Sequence, residues 1–261
     1  MKIKIGKKFV GSDCPVFLIA EIGSNHNQDF SLALRHIDAA AEAGVDAVKF
    51  QTFKAENHVS KYAKMPDYLT GYKNMHELIK SLELDRGWQK SLKEYAESKG
   101  LIFFSSPCDY DAVDQLEALN VSAHKIASFD LPDLDLVRYI ARTNKPILIS
   151  TGLADWMDIQ RAVDACRKEG NEKIILFQCT SLYPAPVGLS NLKAMKTIHD
   201  AFNVVTGYSD HTIGDTIPIA AVAMGASIIE KHFTLNKNLP GPDHKASLEP
   251  KELKDMVLGI R

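Results

Sequence analysis

One unit of sequence occurs four times along this chain: an amphipathic segment, a glycine, and then a short apolar run that ends in polar residues. The four copies are AAAEAGVDAVKFQ (39–51), YAESKGLIFFSSP (95–107), ACRKEGNEKIILFQCTS (165–181) and AVAMGASIIEKHF (221–233). A glycine directly after a helix adopts the left-handed conformation that ends the helix with little strain. The apolar runs are too short for helices and rich in β-formers, so they predict buried strands. Helices that alternate with buried strands indicate parallel strands joined by helical crossovers.

Four further apolar runs bring the predicted strands to eight, at 16–23, 123–128, 146–151 and 204–210. Strands that recur every 25 to 35 residues or so, in a chain of 261 residues, predict a (β/α)8 TIM barrel. A doubly wound open sheet is the alternative, but it rarely uses eight such units and typically has GxGxxG after its first strand. Residues 1–15, with the sequence KIKIGKKFV, predict a short β-hairpin under the barrel floor. We therefore expect one domain over residues 1–261.

Composition narrows the class of protein. The chain is 45% hydrophobic and 25% charged, with a net charge of −2, which excludes a disordered chain and gives no support to a nucleic-acid partner. It has neither the apolar core of a signal peptide nor a run of about 18 apolar residues that could span a membrane. We expect a cytoplasmic protein. Cys14, Cys108, Cys166 and Cys179 never form CxxC, so we expect reduced thiols.

In a TIM barrel, catalytic side chains lie at the C-terminal ends of the strands. Because side chains alternate along a strand, three pairs of polar residues each share a face there: Lys49 with Gln51, Ser209 with His211, and Glu230 with His232. Hydroxyl and amine groups end most of the other strands: Ser105, Ser106, Lys125, Ser128, Ser150, Thr151, Thr180 and Ser181. An inward lysine and two inward histidines are costly to bury without a partner. The strand ends therefore predict a site for a charged ligand.

The chemistry of these side chains narrows the ligand. Two lysines with several hydroxyls suit a phosphate together with a carboxylate. His211 and His232, on neighbouring strands, predict two ligands of a divalent metal of the Mn²⁺ kind rather than a closed tetrahedral zinc site. The alternatives are hydrogen-bonded histidines without a metal, and a Lys49 that extends from the rim into water. From the residues alone we predict a metal-assisted enzyme for a small phosphorylated or carboxylated substrate, with the reaction left open.

The strand-end motifs resemble those of the sialic acid synthases and their relatives that make legionaminic, pseudaminic and spore-coat sugars. Seven stretches carry the resemblance, in order along nearly the whole chain: AEIGSNHNQD (20–29), VKFQTF (48–53), HKIASFD (124–130), ILISTGL (147–153), QCTSLYPAP (178–186), GYSDHTIG (207–214) and EKHFTLNKNLPGPDHKASLEP (230–250). The resemblance implies a transferase that condenses phosphoenolpyruvate with an N-acylated mannosamine-type sugar. The products are a nine-carbon 2-keto-3-deoxy acid and phosphate.

The resemblance also assigns roles to residues. Lys125, Ser150, Ser181 and Ser209 would hold the phosphate of phosphoenolpyruvate, with Lys49 and Ser128 on its carboxylate side. His211 and His232 would bind the metal, which is Mn²⁺ or, alternatively, Mg²⁺ or Co²⁺. Glu21, Gln51, Tyr183 and Asp243 would face the sugar. Asp130 would also belong to the catalytic residues, but many members have glutamate at this position, and the aspartate side chain is shorter. Position 181, serine in this chain, is asparagine in some members.

Family members form dimers and continue into a small C-terminal antifreeze-like domain that reaches over the partner's barrel and brings an arginine to the sugar. The present sequence ends at Arg261. We therefore expect a homodimer-forming barrel domain without that C-terminal domain.

Two other functions stay open from the sequence. One is a Schiff-base aldolase with Lys125 or Lys49 as the nucleophile. The other is a non-catalytic barrel that binds the sugar or phosphoenolpyruvate. The sequence also leaves open which N-acyl sugar is used, whether it carries a 6-phosphate, and whether the metal or Glu21 activates the water.

Overall fold

Eight parallel strands close a barrel within residues 1–64 and 72–261, which the computed structural model describes. Two short strands precede the barrel, β1 (Lys2–Ile5) and β2 (Lys8–Gly11). The barrel strands are β3 (Phe17–Gly23), β4 (Ala47–Thr52), β5 (Ile102–Pro107), β6 (His124–Ile126), β7 (Ile147–Ser150), β8 (Ile174–Cys179), β9 (Val205–Asp210) and β10 (Ile228–His232). They are hydrogen-bonded in sequence order, and β10 pairs with β3 to close the ring. The predicted TIM barrel is confirmed.

A helix follows each barrel strand, and the described part of the connection after β4 contains two more. The helices are α1 (Phe30–Ala43), α2 (Ala55–His58), α3 (Met75–Ser81), α4 (Gln89–Ser98), α5 (Tyr110–Ala118), α6 (Leu134–Arg142), α7 (Trp156–Lys168), α8 (Ala194–Phe202), α9 (Thr216–Ala223) and α10 (Pro250–Ile260). Among the described residues, no helix has the length and apolar character needed to cross a membrane. The cytoplasmic location stays a prediction.

The glycine of the repeated unit ends its helix as predicted. Gly44 follows α1 with a φ of 86°, and its N–H donates to the carbonyl of Ala41. An L-residue with a side chain rarely adopts this conformation, so glycine here separates helix from strand with little strain. The glycines of the other three copies also have positive φ: Gly100, Gly170 and Gly225.

Strand β6 is shorter than predicted. The sequence predicts a strand over 123–128, but only His124–Ile126 is extended. The carbonyl of Ala127 accepts hydrogen bonds from the N–H groups of Asp130 and Leu131, so the chain turns at this point. As a result, Ser128 and Asp130 lie in a connecting turn rather than on a strand.

The N-terminal hairpin closes the end of the barrel opposite the strand C-termini. β1 and β2 pair antiparallel, and a Cβ added to Gly6 would lie 3.1 Å from Cδ1 of Ile102, the first residue of β5. Lys8 forms an ion pair with buried Asp46, whose Oδ2 accepts from the N–H of Leu18 at 2.7 Å and from Arg261 at 2.9 Å. The predicted hairpin and its place under the barrel floor are confirmed.

Candidate active site

A cleft of about 390 Å³, open to solvent, lies at the C-terminal mouth of the barrel. All eight barrel strands contribute to it through their last residues or the turns that follow. The residues to which the family resemblance assigns a role line it, except Asp130 and Asp243: Glu21, Lys49, Gln51, Lys125, Ser128, Ser150, Ser181, Tyr183, Ser209, His211 and His232. Alternation along the strands therefore places these side chains on the inner face. Of the other polar residues at the strand ends, Ser106 lines the cleft and Ser105, Thr151 and Thr180 do not.

Four buried charges of alternating sign cross the floor of the cleft. Lys49 Nζ lies 2.8 Å from Glu21 Oε2 and 3.8 Å from Glu230 Oε1. Lys125 Nζ lies 4.0 Å from the same oxygen of Glu230. Each of the four residues is less than 5% exposed. Each buried charge thus has an opposite neighbour, which offsets part of the cost of removing it from water.

Each of the two lysines keeps one N–H donor free for a ligand. An ammonium group has three N–H donors. Lys49 contacts Glu21 and donates to Ser106 Oγ at 3.2 Å, while Lys125 donates to Ser150 Oγ at 2.6 Å and to its neighbour's carbonyl at 3.0 Å. The third donor of each makes no hydrogen bond to the described residues. Two such donors in one cleft suit a small anion with two acidic groups.

Burial and charge set the protonation states of the four groups. Burial raises the pKa of Glu21 to about 7, although attraction to Lys49 opposes the rise. Burial acts to raise the pKa of Glu230 as well, but attraction to Lys125 and Lys49 has the larger effect, so the pKa of Glu230 is lowered. Burial lowers the pKa of Lys125, and Glu230 offsets part of this. Glu21 is therefore the carboxyl that changes protonation near neutral pH.

His211 and His232 lie side by side at the ends of β9 and β10. Their ring centroids are 5.4 Å apart, and both side chains are about 5% exposed. The Nδ1–H of His211 donates to the carbonyl of Thr180 at 2.7 Å, which leaves its Nε2 as the atom with a lone pair. Nδ1 of His232 is buried without a hydrogen-bond partner. Burial lowers the pKa of both rings, so both are neutral at neutral pH.

These features fit a divalent cation. Two neutral imidazoles, one with its tautomer fixed by a backbone carbonyl and one with an unpartnered ring nitrogen, have the lone pairs that a cation needs. Two nitrogen ligands, with the rest of the coordination left to oxygen atoms, suit an ion of the Mn²⁺ kind. Chain residues that would hold the cation are thus present at the C-terminal ends of β9 and β10: His211 directly after β9 and His232 as the last residue of β10.

Tyr183 and Asp243 lie beside this pair, and Gln51 lines the same cleft. The ring centroid of Tyr183 lies 4.1 Å from that of His211. Asp243 does not line the cleft, but its Oδ2 lies 3.6 Å from Nδ1 of His232, and burial raises its pKa to about 6. Gln51 donates to Glu21 Oε1 at 2.7 Å, so its amide is held in one orientation.

Asp130 lies outside the cleft and, unlike Asp243, does not contact either histidine of the pair. Its Oδ2 accepts a hydrogen bond from the thiol of Cys108 at 3.4 Å, and its Oδ1 lies 3.7 Å from Nδ1 of His58. Burial raises its pKa. The turn after β6 directs this carboxylate toward the connections that follow β4 and β5 rather than toward the lysines.

Sequence reasoning did not assign a role to Glu230 or Lys231. Glu230 shares a face with His232, and this alternation is the signal that could have identified it. Lys231 points the other way and forms a fully buried ion pair with Asp210, which also accepts from the N–H and hydroxyl of Thr212. Asp210 faces outward because side chains alternate between the two faces of a strand. This pair fixes the backbone on both sides of His211.

Residues 36–261 match the sequence pattern of the NeuB family. The chain belongs to the NeuB family. It is 45% identical over 250 residues to the N,N'-diacetyllegionaminic acid synthase of Campylobacter jejuni, covering 94% of this chain and 75% of that relative. The named relatives are acid synthases, which are transferases. The predicted family and the prediction of a transferase are confirmed.

Solved structures of NeuB family members have the same barrel. The crystal structure of the spore coat polysaccharide biosynthesis protein SpsE from Bacillus subtilis superposes with a TM-score of 0.88 at 44% identity, covering 100% of this chain and 71% of that one. The N-acetylneuraminic acid (sialic acid) synthetase from Leptospira borgpetersenii, in complex with citrate, gives 0.92 at 36% identity, covering 100% and 87%. The homodimer and the preference for manganese stay predictions.

The histidine pair leads to a testable prediction about metal binding. We expect His211→Ala and His232→Ala each to lower Mn²⁺ affinity by about tenfold or more, since each removes one of two nitrogen ligands. Circular dichroism should be unchanged, because the pair lies at the rim and the barrel core carries the stability. The matched control is His199→Ala, an exposed histidine on α8. Calorimetric titration with Mn²⁺ measures the effect, and unchanged affinity in both variants would contradict the assignment.

Proposed function

We propose that this chain condenses phosphoenolpyruvate with an N-acylated mannosamine-type sugar, giving a nine-carbon 2-keto-3-deoxy acid and phosphate. One observation carries the proposal: two buried lysines, each with a free N–H donor, share a cleft with two neutral histidines. The lysines suit the two acidic groups of phosphoenolpyruvate, and the histidines suit a cation beside it. The names of the family's relatives support the same reaction class.

Phosphoenolpyruvate would bind across the lysines. Lys125, with the hydroxyls of Ser150, Ser181 and Ser209, would hold the phosphate, and Lys49 with Ser128 would hold the carboxylate. Ser150 accepts a hydrogen bond from Lys125, so its own hydroxyl proton is available to a phosphate oxygen. Charge-assisted contacts of this kind are roughly twice as strong as neutral ones, which favours lysine-bound phosphate.

The sugar would bind on the side of Glu21, Gln51, Tyr183 and Asp243. Because Gln51 uses an N–H on Glu21, its carbonyl oxygen is available to accept from a sugar hydroxyl. His211 and His232 would hold the divalent cation, which when bound supplies a Lewis acid that polarises the sugar aldehyde. Lys49 and Lys125 would keep the enol phosphate aligned with that aldehyde.

The proposed reaction forms a C–C bond first and releases phosphate afterwards. Carbon 3 of phosphoenolpyruvate forms a C–C bond to the aldehyde carbon, and positive charge develops at its carbon 2. The aldehyde oxygen takes up a proton and becomes a hydroxyl, and water adds to carbon 2. The hydroxyl now on carbon 2 loses its proton as phosphate leaves by cleavage of the C–O bond, which gives the keto group. Glu21, whose pKa is about 7, would accept the proton from this water. Lys125 would stabilise the charge on the departing phosphate.

Phosphate release tests the proposal. With phosphoenolpyruvate and Mn²⁺, we expect release that depends on an N-acyl sugar, measured over a panel of N-acylmannosamine-type sugars with and without a 6-phosphate. A chelator should abolish the release and added Mn²⁺ should restore it. Sugar-independent release, or none with any member of the panel, would contradict the proposal.

A Schiff-base aldolase is the second candidate, because burial lowers the pKa of Lys125 and so favours a nucleophilic amine. Borohydride reduction in the presence of pyruvate separates the two. We expect no covalent adduct on Lys125 or Lys49, since both are held by hydrogen bonds and ion pairs. Labelling of either lysine would favour the aldolase.

The phosphate role of Lys125 can be measured by binding alone. We expect Lys125→Met to weaken phosphoenolpyruvate binding by about 10- to 100-fold, since a lost contact to a charged donor costs about 1.5–3 kcal/mol. The matched control is Ser105→Ala, which removes a hydroxyl of β5 that bonds to Thr52 and does not line the cleft. Calorimetric titration with phosphoenolpyruvate compares the two. Equal losses would place the phosphate elsewhere.

The pKa of Glu21 leads to a prediction about pH. If ionised Glu21 accepts the proton of water, kcat/KM should rise with pH through about 7, because the raised pKa keeps the carboxyl protonated below that pH. Glu21→Gln should lower the rate and remove this part of the profile, while Mn²⁺ binding persists. An unchanged profile in Glu21→Gln would show that another group activates the water.

A further inference from the structure

Three side chains with different ligand atoms meet at the rim of the barrel, next to the cleft. His58 is the last residue of α2, Cys108 follows β5, and Asp130 lies in the turn after β6. One ligand atom from each lies within 4.8 Å of the other two. Within the described residues, this is the one group of three or more His, Cys, Asp or Glu side chains with that spacing. The cluster joins the connections that follow three successive strands.

Two distances within the cluster, each to a different carboxylate oxygen of Asp130, are close to those between the ligands of a bound metal ion. Cys108 Sγ lies 3.4 Å from Asp130 Oδ2, and His58 Nδ1 lies 3.7 Å from Asp130 Oδ1. In a tetrahedral zinc site, ligand bonds of about 2.0–2.3 Å put the donor atoms roughly 3.3–3.6 Å apart. Small side-chain movements would therefore bring all three donors to one cation.

The donor set indicates which cation would bind. A thiolate and an imidazole with one carboxylate favour Zn²⁺ or Co²⁺ over Mg²⁺ or Mn²⁺, which prefer oxygen ligands. Three protein ligands also leave a fourth position open for water or a ligand. The thiol distinguishes this site from the pair of histidines at the ends of β9 and β10, which offers only nitrogen ligands.

The cluster is separate from the candidate active site but adjacent to it. None of its three residues lines the cleft. Two residues close in sequence do: Ser106 on β5, whose carbonyl accepts from the Cys108 thiol at 3.7 Å, and Phe129, next to Asp130. A cation bound here would restrain the β4, β5 and β6 connections on one side of the mouth.

We propose that His58, Cys108 and Asp130 form a second divalent-cation site, selective for Zn²⁺ or Co²⁺, that ties together the connections after β4, β5 and β6. The competing explanation is a cluster without metal, in which the thiol donates to Asp130 and the ring of His58 stacks on Phe53 with centroids 5.6 Å apart. The two explanations predict different metal-binding spectra.

Cobalt titration of the metal-depleted full chain tests the proposal. We expect a thiolate-to-Co²⁺ charge-transfer band in the near ultraviolet, because Cys108 would be a ligand. Cys108→Ser should abolish the band, and His58→Gln should weaken Co²⁺ binding by about tenfold or more, since even the loss of an outer partner costs about 10- to 100-fold. Cys14→Ser, a half-buried cysteine beside the N-terminal hairpin, is the matched control and should keep the band.

A double variant separates this site from the first. The band should persist in His211→Ala/His232→Ala, which removes the proposed active-site ligands. It should persist even if the proposed reaction is wrong, because the readout does not depend on turnover. Absence of the band in the parent chain, its survival in Cys108→Ser, or its loss in the double variant would each overturn the proposal.

A measurement on the unaltered chain guards against misfolding of the variants. We expect Zn²⁺, but not Mg²⁺, to slow alkylation of Cys108 by roughly tenfold or more, since a metal-bound thiolate is a poor nucleophile when its lone pair is shared. Alkylation of Cys14 should be unaffected. Peptide mass spectrometry measures both rates, and equal rates for Cys108 with and without Zn²⁺ would rule out the site.

Discussion

The alternating charges of Glu21, Lys49, Glu230 and Lys125 are the interaction on which the candidate active site depends. Moving one ion from water to a protein interior costs several kcal/mol, so none of these groups could be buried alone. Glu230 lies between the two lysines, and Glu21 closes the series beside Lys49. The four residues come from β3, β4, β6 and β10, so the series forms only when β10 pairs with β3 and the barrel closes. The site therefore exists only in the closed barrel.

A second buried ion pair lies on the opposite face of the strands that carry the histidines. Lys231 and Asp210 face away from the cleft, between the barrel and its helices, and are fully buried. Asp210 also accepts from Thr212, so the backbone on either side of His211 is fixed. The polar run at the end of β9 thus serves two purposes. Ser209 and His211 face a ligand, and Asp210 between them holds the strand end in place.

Much of the barrel could be predicted because its pattern is local. Gly44 and its counterparts mark helix ends, and the apolar runs that follow mark strands, so eight strands could be placed without any contact information. Alternation then predicted that Lys49 and Gln51, or Ser209 and His211, would point the same way. The prediction was less accurate at β6, where the chain turns after Ile126. Asp130 consequently lies away from the lysines, against Cys108 and His58, which no sequence pattern had linked.

The sequence by itself determined the number of barrel strands, the four helix ends marked by glycine, and which polar residues share a face at the ends of β4, β9 and β10. These properties follow from backbone periodicity and from the conformational freedom of glycine, and both act over a few residues. Beyond the predicted pair of His211 and His232, only the tertiary structure decided which residues meet: Glu230 with Lys49, and His58 with Cys108 and Asp130. Those contacts depend on the register of the strands around the closed barrel and on the turns that follow them, because residues far apart in the chain become neighbours only through that closure.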